Sequence, residues 1–542
     1  MASLQMSRPS VAHPLLGRVT GVSTASESVV KFLGIKYGSV PFRFADPLEH
    51  VSFDFDASVL GPAAPQPPGG CLGELSHIGC SLVVPDAVEN NHSEFDCLHL
   101  NIFRPRNIGP QEAIPVLVFV HGGGNVVGSN IWPQFDLTKL VEQSIAYGKP
   151  IIAVTLNYRL GPLAMLTSTS MAKAGFTGNL PIKDLTLGFK WVKKYILGFG
   201  GNPLQVCALG ESAGSMNLSL LLQTPEPLFT RLVCMSGQFA TVNPVPLSLF
   251  DSIFPKVLEA VQIPEGLSFE EQIKRLSEIP QDVAKLSLLA ALPPLFVQTT
   301  SLVANDIEDF GSKRYPGYKW CESVLFSDCK NDGSIMTMIS QIEKFKPDVA
   351  KKFKEYLELN TTSEICNAIL LAYNISSSID ADSAYRNFEN LVNDVYFYSP
   401  TFLAARSWII NNPEKSAYAC HFNVKDPWSC AYKSQTPHTF DLALLFQNFN
   451  DDMPVELSTI SINICHAFLR FIYNENPWDS PIKLVQGCVV NQAVFDEDLA
   501  TSSRIKLARD LDSAGRRKNI WTLIDKIGWT KTFDLVNGFL FA

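Results

Sequence analysis

The run Gly210-Glu211-Ser212-Ala213-Gly214 constrains this chain more than any other. Gln205 to Leu209, a short β-prone run, stands before it, and Ser215 to Leu222, which can wind into a helix, follows. A serine at a sharp strand-to-helix turn has its hydroxyl raised above the edge of a sheet. Glycines two residues to either side remove side chains that would collide with such a turn. The pattern predicts a strand, a tight turn carrying Ser212 and a helix, in that order.

Ile114 to Val120 is almost continuously apolar and reads as a strand buried on both faces of a parallel sheet. It runs into His121-Gly122-Gly123-Gly124, where successive glycines leave backbone N–H groups open to close approach. Donors fixed in advance are what a reaction needs when it develops negative charge on a carbonyl oxygen. A glycine-rich turn without chemistry is the plainer reading of the same residues. Leu98–Phe103, Ile151–Tyr158 and Leu232–Gly237 are also strand-like, whereas Asp184–Phe199 carries apolar residues at helical spacing. Alternation of this kind predicts an α/β fold, a mainly parallel sheet with helices on both faces. Residues 245–320 and 340–412 read as helical, more polar insertions that roof the face carrying Ser212. No internal repeat or low-complexity linker appears, so 1–542 reads as one large domain.

With 46% hydrophobic and 18% charged residues over 542, the composition is that of an ordinary globular protein. A net charge of −9 argues against nucleic acid or an anionic membrane as the main partner. No basic cluster is longer than Gly515-Arg516-Arg517-Lys518, which reads as a solvated helix face. Met1 to Pro9 lacks the apolar segment of a secretory leader. No apolar stretch reaches the ~18 residues of a transmembrane helix, Leu286 to Pro294 being the nearest and too short. A cytoplasmic protein is expected, with twelve cysteines that are mostly free thiols. They include no C-x-x-C pair, so a zinc site is not expected. The sequons at Asn91, Asn360 and Asn374 then carry no glycan.

Further motifs follow in order: Phe32-Leu33-Gly34-Ile35-Lys36-Tyr37-Gly38 with Pro41-Phe42-Arg43-Phe44, then Phe95-Asp96-Cys97-Leu98-His99-Leu100-Asn101, Asn157-Tyr158-Arg159-Leu160-Gly161, Gly178-Asn179 to Asp184, and Phe199-Gly200-Gly201-Asn202-Pro203. Together with the glycine-rich stretch and the serine turn, they make the chain resemble the type-B carboxylesterase/lipase family, nearly end to end. That group includes cholinesterases and fungal lipases, and the style here is closest to its intracellular fungal members. The resemblance implies an α/β-hydrolase fold and a carboxylic ester hydrolase that works through an acyl-enzyme, with no cofactor and no metal. The substrate would be a small-molecule or lipid ester.

A serine hydroxyl needs a base, and the base needs a carboxylate to hold its tautomer. In α/β-hydrolases the acid and then the histidine follow the serine in the chain. Only His421, His438 and His466 follow Ser212. His421 sits within a strand-like run, where a core or surface role is expected, and His466 on an amphipathic helix, where a structural one is. His438 follows Thr436-Pro437 in a loop. The family has its base in such a loop with an acidic residue three positions on, a place that Asp441 fills. The family's Glu-Gly-Ser corresponds here to Asp332-Gly333-Ser334, which makes Asp332 the acid, and Asp328 at the strand end is its rival. By the same resemblance Gly123, Gly124 and Ala213 would form an oxyanion hole and Ser236 would support the acid loop. Glu211 is expected to make buried polar contacts.

Two departures from the family pattern stand out. Phe95 replaces a glutamate, leaving Glu94 as the substitute partner for Arg43. Asn125 stands where an aromatic residue commonly follows the glycines. Cys97 matches a family disulfide cysteine and Cys71 lies at a plausible distance upstream, so a bond between them is allowed in an oxidised sample. Residues 78–88 could serve as a lid or as a packed surface loop. An acyltransferase or other biosynthetic enzyme using the same pocket, and a non-catalytic binding protein on the same fold, are the alternative readings.

Overall fold

The computed structural model describes residues 8–241, 244–281, 296–299, 302, 316–428, 430–478, 491–495, 505–507 and 518–541. Among them the apolar runs assemble into one eleven-stranded sheet. In chain order its strands are β1 (Val22–Ser23), β2 (Val29–Lys36), β3 (His99–Pro105), β4 (Ile114–Val120), β5 (Ile152–Leu156), β6 (Gly201–Glu211), β7 (Arg231–Met235), β8 (Ser323–Cys329), β9 (Ser416–Phe422), β10 (Asn491–Phe495) and β11 (Ile505–Leu507). Their spatial order is β11-β10-β9-β8-β7-β6-β4-β5-β3-β2-β1. From β5 across to β10 every neighbouring pair is parallel. The remaining pairs, at the two edges, are antiparallel.

Side chains alternate across the pleat, so each central strand feeds two cores. Val116, Val118 and Val120 of β4 join Val324 and Phe326 of β8 on one face, with Leu185, Phe189 and Val192 of the helix Leu180–Tyr195. Leu117, Phe119 and Leu325 face the other way, against Leu140, Val141, Ile464 and Phe468. Helices therefore cover both faces, as the alternation of segments predicts. The helix Val455–Ile472 is long and apolar enough by length and composition to cross a membrane, against the expectation that no stretch is. It lies here as a core helix, with Leu457, Ile460, Ile464 and Phe468 buried over the sheet.

Within 340–412 the helices Val349–Asn360, Ser363–Ala372, Ala381–Asn393 and Ser399–Asn411 form as expected, with a π-helical turn, Asp394–Tyr398, between the last two. The first three, the π turn and the C-terminal helices Lys518–Ile527 and Trp529–Leu540 share a third apolar core around Phe353, Phe388 and Phe539. Of 245–320, Leu247–Ala260 and Phe269–Glu278 are helical. Leu286–Pro294, Gly515–Arg517 and Cys488 lie outside the described residues.

Arg43 and Glu94 do pair: Arg43 Nε and Nη2 each donate to the carboxylate at 2.7 Å, with both side chains buried. The Cys71–Cys97 bond does not form. The Cys71 thiol donates to Gln134 Oε1 and the Cys97 thiol to the Glu94 carbonyl, and the two sit in different cores. Burial pushes Cys71 up to about 12, so both its state and its place are those of a packing thiol. In residues 78–88, Ile78, Cys80 and Val88 are buried, whereas Ser81, Val83 and 85–87 are exposed.

Candidate active site

Both glycines of the serine turn are sterically required. A Cβ on Gly210 would lie 2.5 Å from the Gly214 carbonyl carbon, and one on Gly214 would lie 2.1 Å from the Val120 carbonyl oxygen. Ser212 is held at φ 53°, ψ −125°, a conformation rarely taken by a residue with a side chain. Its N–H donates to Met235 of β7 at 2.9 Å, which fixes the turn to the sheet. Ser215, which the sequence does not mark out, locks it further. The Ser215 hydroxyl contacts the carbonyls of Gly210 (2.6 Å) and Met235 (2.8 Å) and accepts from the Met235 N–H. Ser212 itself remains partly exposed at the head of the helix Ala213–Leu221.

Asp332 follows β8 in a turn that its own side chain closes, Oδ2 accepting from the Cys329 N–H at 2.6 Å. Oδ1 meets His438 Nδ1 at 2.8 Å. Two main-chain loops bring these residues together: the Asn331 N–H donates to the Thr436 carbonyl at 3.0 Å, and the Thr436 N–H returns a bond to Asn331 Oδ1 at 3.1 Å. Nothing in the sequence singles out Asn331 or Thr436. Asp328, the rival acid, is taken up elsewhere, since it faces His421 in register across β8 and β9 and is hydrogen-bonded to it. His466 is half-buried, stacked on Tyr147 at 3.8 Å and 2.9 Å from Gln143 Nε2.

His438 Nε2 lies 3.1 Å from Glu211 Oε1, without the alignment of a hydrogen bond. The residue preceding Ser212 thus reaches the free side of the imidazole. Beyond this contact Glu211, which is fully buried, has no hydrogen-bond partner among the described residues. Burial, with Asp441, Glu74 and Asp332 nearby, raises its carboxyl well above the usual range. Burial also lowers His438 to about 4, against the pull of Asp441, so its imidazole is neutral as a general base must be. Ser236, at φ 50°, donates to Asp441 Oδ2 at 3.2 Å. It thereby supports Asp441, behind His438. Burial and the Asp332 charge raise Asp441 to about 7.

The glycine-rich stretch turns tightly after β4, with Gly123 and Gly124 at φ 91° and 63°. A Cβ on Gly122 would fall 2.9 Å from Ser212 Cβ, so this loop lies against the serine. The N–H groups of Gly123, Gly124 and Ala213 enter no hydrogen bond among the described residues.

The model of the carboxylesterase family matches residues 7–249. Lipase 3 of Yarrowia lipolytica is 27% identical over 477 residues, covering 85% of this chain and 88% of that protein. The chain is thus similar to the carboxylesterase/lipase family, through a family match over residues 7–249 and relatives named lipase and esterase. Para-nitrobenzyl esterase of Bacillus subtilis is 34% identical over 249 residues, 45% of this chain and 46% of that one. A solved thermophilic para-nitrobenzyl esterase superposes with a TM-score of 0.70 over 95% of this chain and all of the other, at 21% identity. That likeness speaks for the fold, an α/β-hydrolase with helices on both sides of a large mixed sheet. The family match and the relatives named esterase and lipase support a carboxylic ester hydrolase.

Proposed function

We propose that Ser212, His438 and Asp332 are a catalytic triad that hydrolyses carboxylic esters through an acyl-enzyme. The observation that carries this reading is the 2.8 Å bond from His438 Nδ1 to Asp332, with Nε2 turned toward the residue next to Ser212. Asp332 holds the proton on Nδ1, which leaves the Nε2 lone pair to accept. No hydrogen bond joins Ser212 to His438 here, and such contacts commonly tighten only when substrate is bound.

Ser212 Oγ attacks the ester carbonyl carbon while its proton passes to His438 Nε2. The carbonyl oxygen becomes an oxyanion held by the N–H groups of Gly123, Gly124 and Ala213. The carbonyl re-forms as the ester C–O bond breaks, and the imidazolium protonates the departing alkoxide. Water then attacks the acyl-serine, giving its proton to Nε2, and Ser212 recovers a proton as the acid leaves. Hydrolysis of p-nitrophenyl acetate, butyrate and octanoate by the protein and its Ser212→Ala variant tests the reading. Turnover by the former alone is expected, and equal turnover by both would overturn it.

A further inference from the structure

We infer that Asn125 and Asn217 are positioning residues that lock the glycine-rich loop to the helix behind Ser212, and so set the spacing of the donors that receive the oxyanion. The inference rests on the reading above. Two of the three donors, Gly123 and Gly124, lie on the loop after β4, and the third, Ala213, opens the helix Ala213–Leu221. These are separate pieces of chain, and the loop is rich in glycine, whose backbone has the most freedom to lose. Stabilising an oxyanion requires donors fixed before the charge appears.

The two amide side chains join the pieces directly. Asn217 Nδ2 donates to Asn125 Oδ1 at 2.8 Å, and Asn125 Nδ2 donates to Asn217 Oδ1 at 3.3 Å. Both residues are buried, 2% and 0% exposed, so water does not compete for these bonds. Asn125 is the residue immediately after Gly124. It sits at φ 59°, a region that asparagine tolerates better than other residues with a side chain, and its carbonyl accepts from the Gly161 N–H at 2.7 Å. Asn217 lies on the helix four positions after Ala213. The upstream end of the loop is held by other groups: Tyr158 Oη donates to the His121 carbonyl at 2.9 Å. The downstream end is clamped by Gln66, which donates to the Gly128 carbonyl at 2.9 Å and accepts from its N–H at 2.8 Å. Among the described residues the asparagine pair is the only side-chain hydrogen bond between this loop and the helix that carries Ala213. A polar residue at 125, in place of an aromatic one, thus serves the spacing of the donors.

Asn125→Gly removes the amide without straining the positive φ, and Asn217→Ala removes its partner from a helix that favours alanine. The variants and the double variant are compared with the unmodified protein in ester hydrolysis, in affinity for an aryl trifluoromethyl ketone, and in thermal midpoint. A misplacement of about 1 Å costs up to ~10²-fold, so kcat is expected to fall about 10- to 100-fold with KM little changed. The ketone, whose adduct carries an oxyanion, should weaken by the same factor. The double variant should be no worse than the weaker single, since either change breaks the same link. Asn217→Leu, close in volume, gives the same readings where Asn217→Ala does not fold. Folded variants with unchanged ketone affinity, or with the loss wholly in KM, would overturn the inference. If the unmodified protein neither hydrolyses an ester nor binds the ketone, the reading of the site fails instead; where it binds the ketone, unchanged affinity in the variants tells against the pair alone.

Discussion

Asp332→Asn is the substitution whose effect the structure specifies most fully. The carboxylate accepts from the Cys329 N–H at 2.6 Å and from His438 Nδ1 at 2.8 Å, and an asparagine has only one acceptor oxygen. If that oxygen stays with Cys329, the new NH2 faces Nδ1 and drives the proton to Nε2, where the imidazole no longer accepts from Ser212. If it turns to His438, the NH2 meets the Cys329 N–H and the turn that presents the residue opens. Either way the base is lost. Change of a triad aspartate to asparagine elsewhere lowers kcat by about 10⁴, or about 5 kcal/mol. Similar magnitudes arise from losing two charge-assisted bonds worth about 1.5–3 kcal/mol each. Release of p-nitrophenol from the butyrate ester at pH 8 reads kcat and KM, with circular dichroism as the check on folding. Asp328→Asn is the internal control: it disturbs the buried pair with His421 and should lower the thermal midpoint, yet keep kcat within about threefold in the folded protein. Retention of a tenth of the activity by Asp332→Asn, or an equal loss in Asp328→Asn, would refute the assignment of the acid.

Three further outcomes are expected. Because burial holds His438 at about 4, it stays a competent base below the ordinary imidazole range, so the acid limb of kcat/KM against pH should fall below 6.5; a limb at or above 6.5 in the pH–rate profile contradicts this. Gly123→Ala would put a Cβ 2.1 Å from the Val127 carbonyl oxygen at φ 91°, and should cost about 10²-fold or more in kcat by moving the donor loop; unchanged kcat argues against that loop's role. Glu94→Ala leaves the Arg43 guanidinium buried without its carboxylate and should destabilise by about 3–5 kcal/mol in urea unfolding; a loss below about 1 kcal/mol would mean that the pair is replaceable by solvent.

What was legible in the sequence is what local sterics dictate. Gly210 and Gly214 could be read because any Cβ there strikes backbone a few residues away or across one strand. The strands β4 to β7 could be read because burial on both faces leaves an unbroken apolar run. Glu94 as the partner of Arg43, one position before Phe95, is also within reach, since a shift of one position keeps a carboxylate near the same guanidinium. Pairs made across long separations left no such mark. Asn331 with Thr436, Asn125 with Asn217, and Gly333 with Asn393 are ordinary polar residues until the chain has folded. Nor does sequence order reveal that the C-terminal helices complete the apolar core of a segment more than a hundred residues upstream. The sequence is equally silent on Glu211 Oε1 coming within 3.1 Å of His438 Nε2, a contact made only once the chain has folded.

The most direct test of the account is the site at which a fluorophosphonate attaches. Intact mass should rise by one adduct, peptide mapping should find it on Ser212, and His438→Ala should slow labelling by orders of magnitude. A protein that stays unlabelled, that carries the adduct elsewhere, or that labels equally fast without His438 would contradict it.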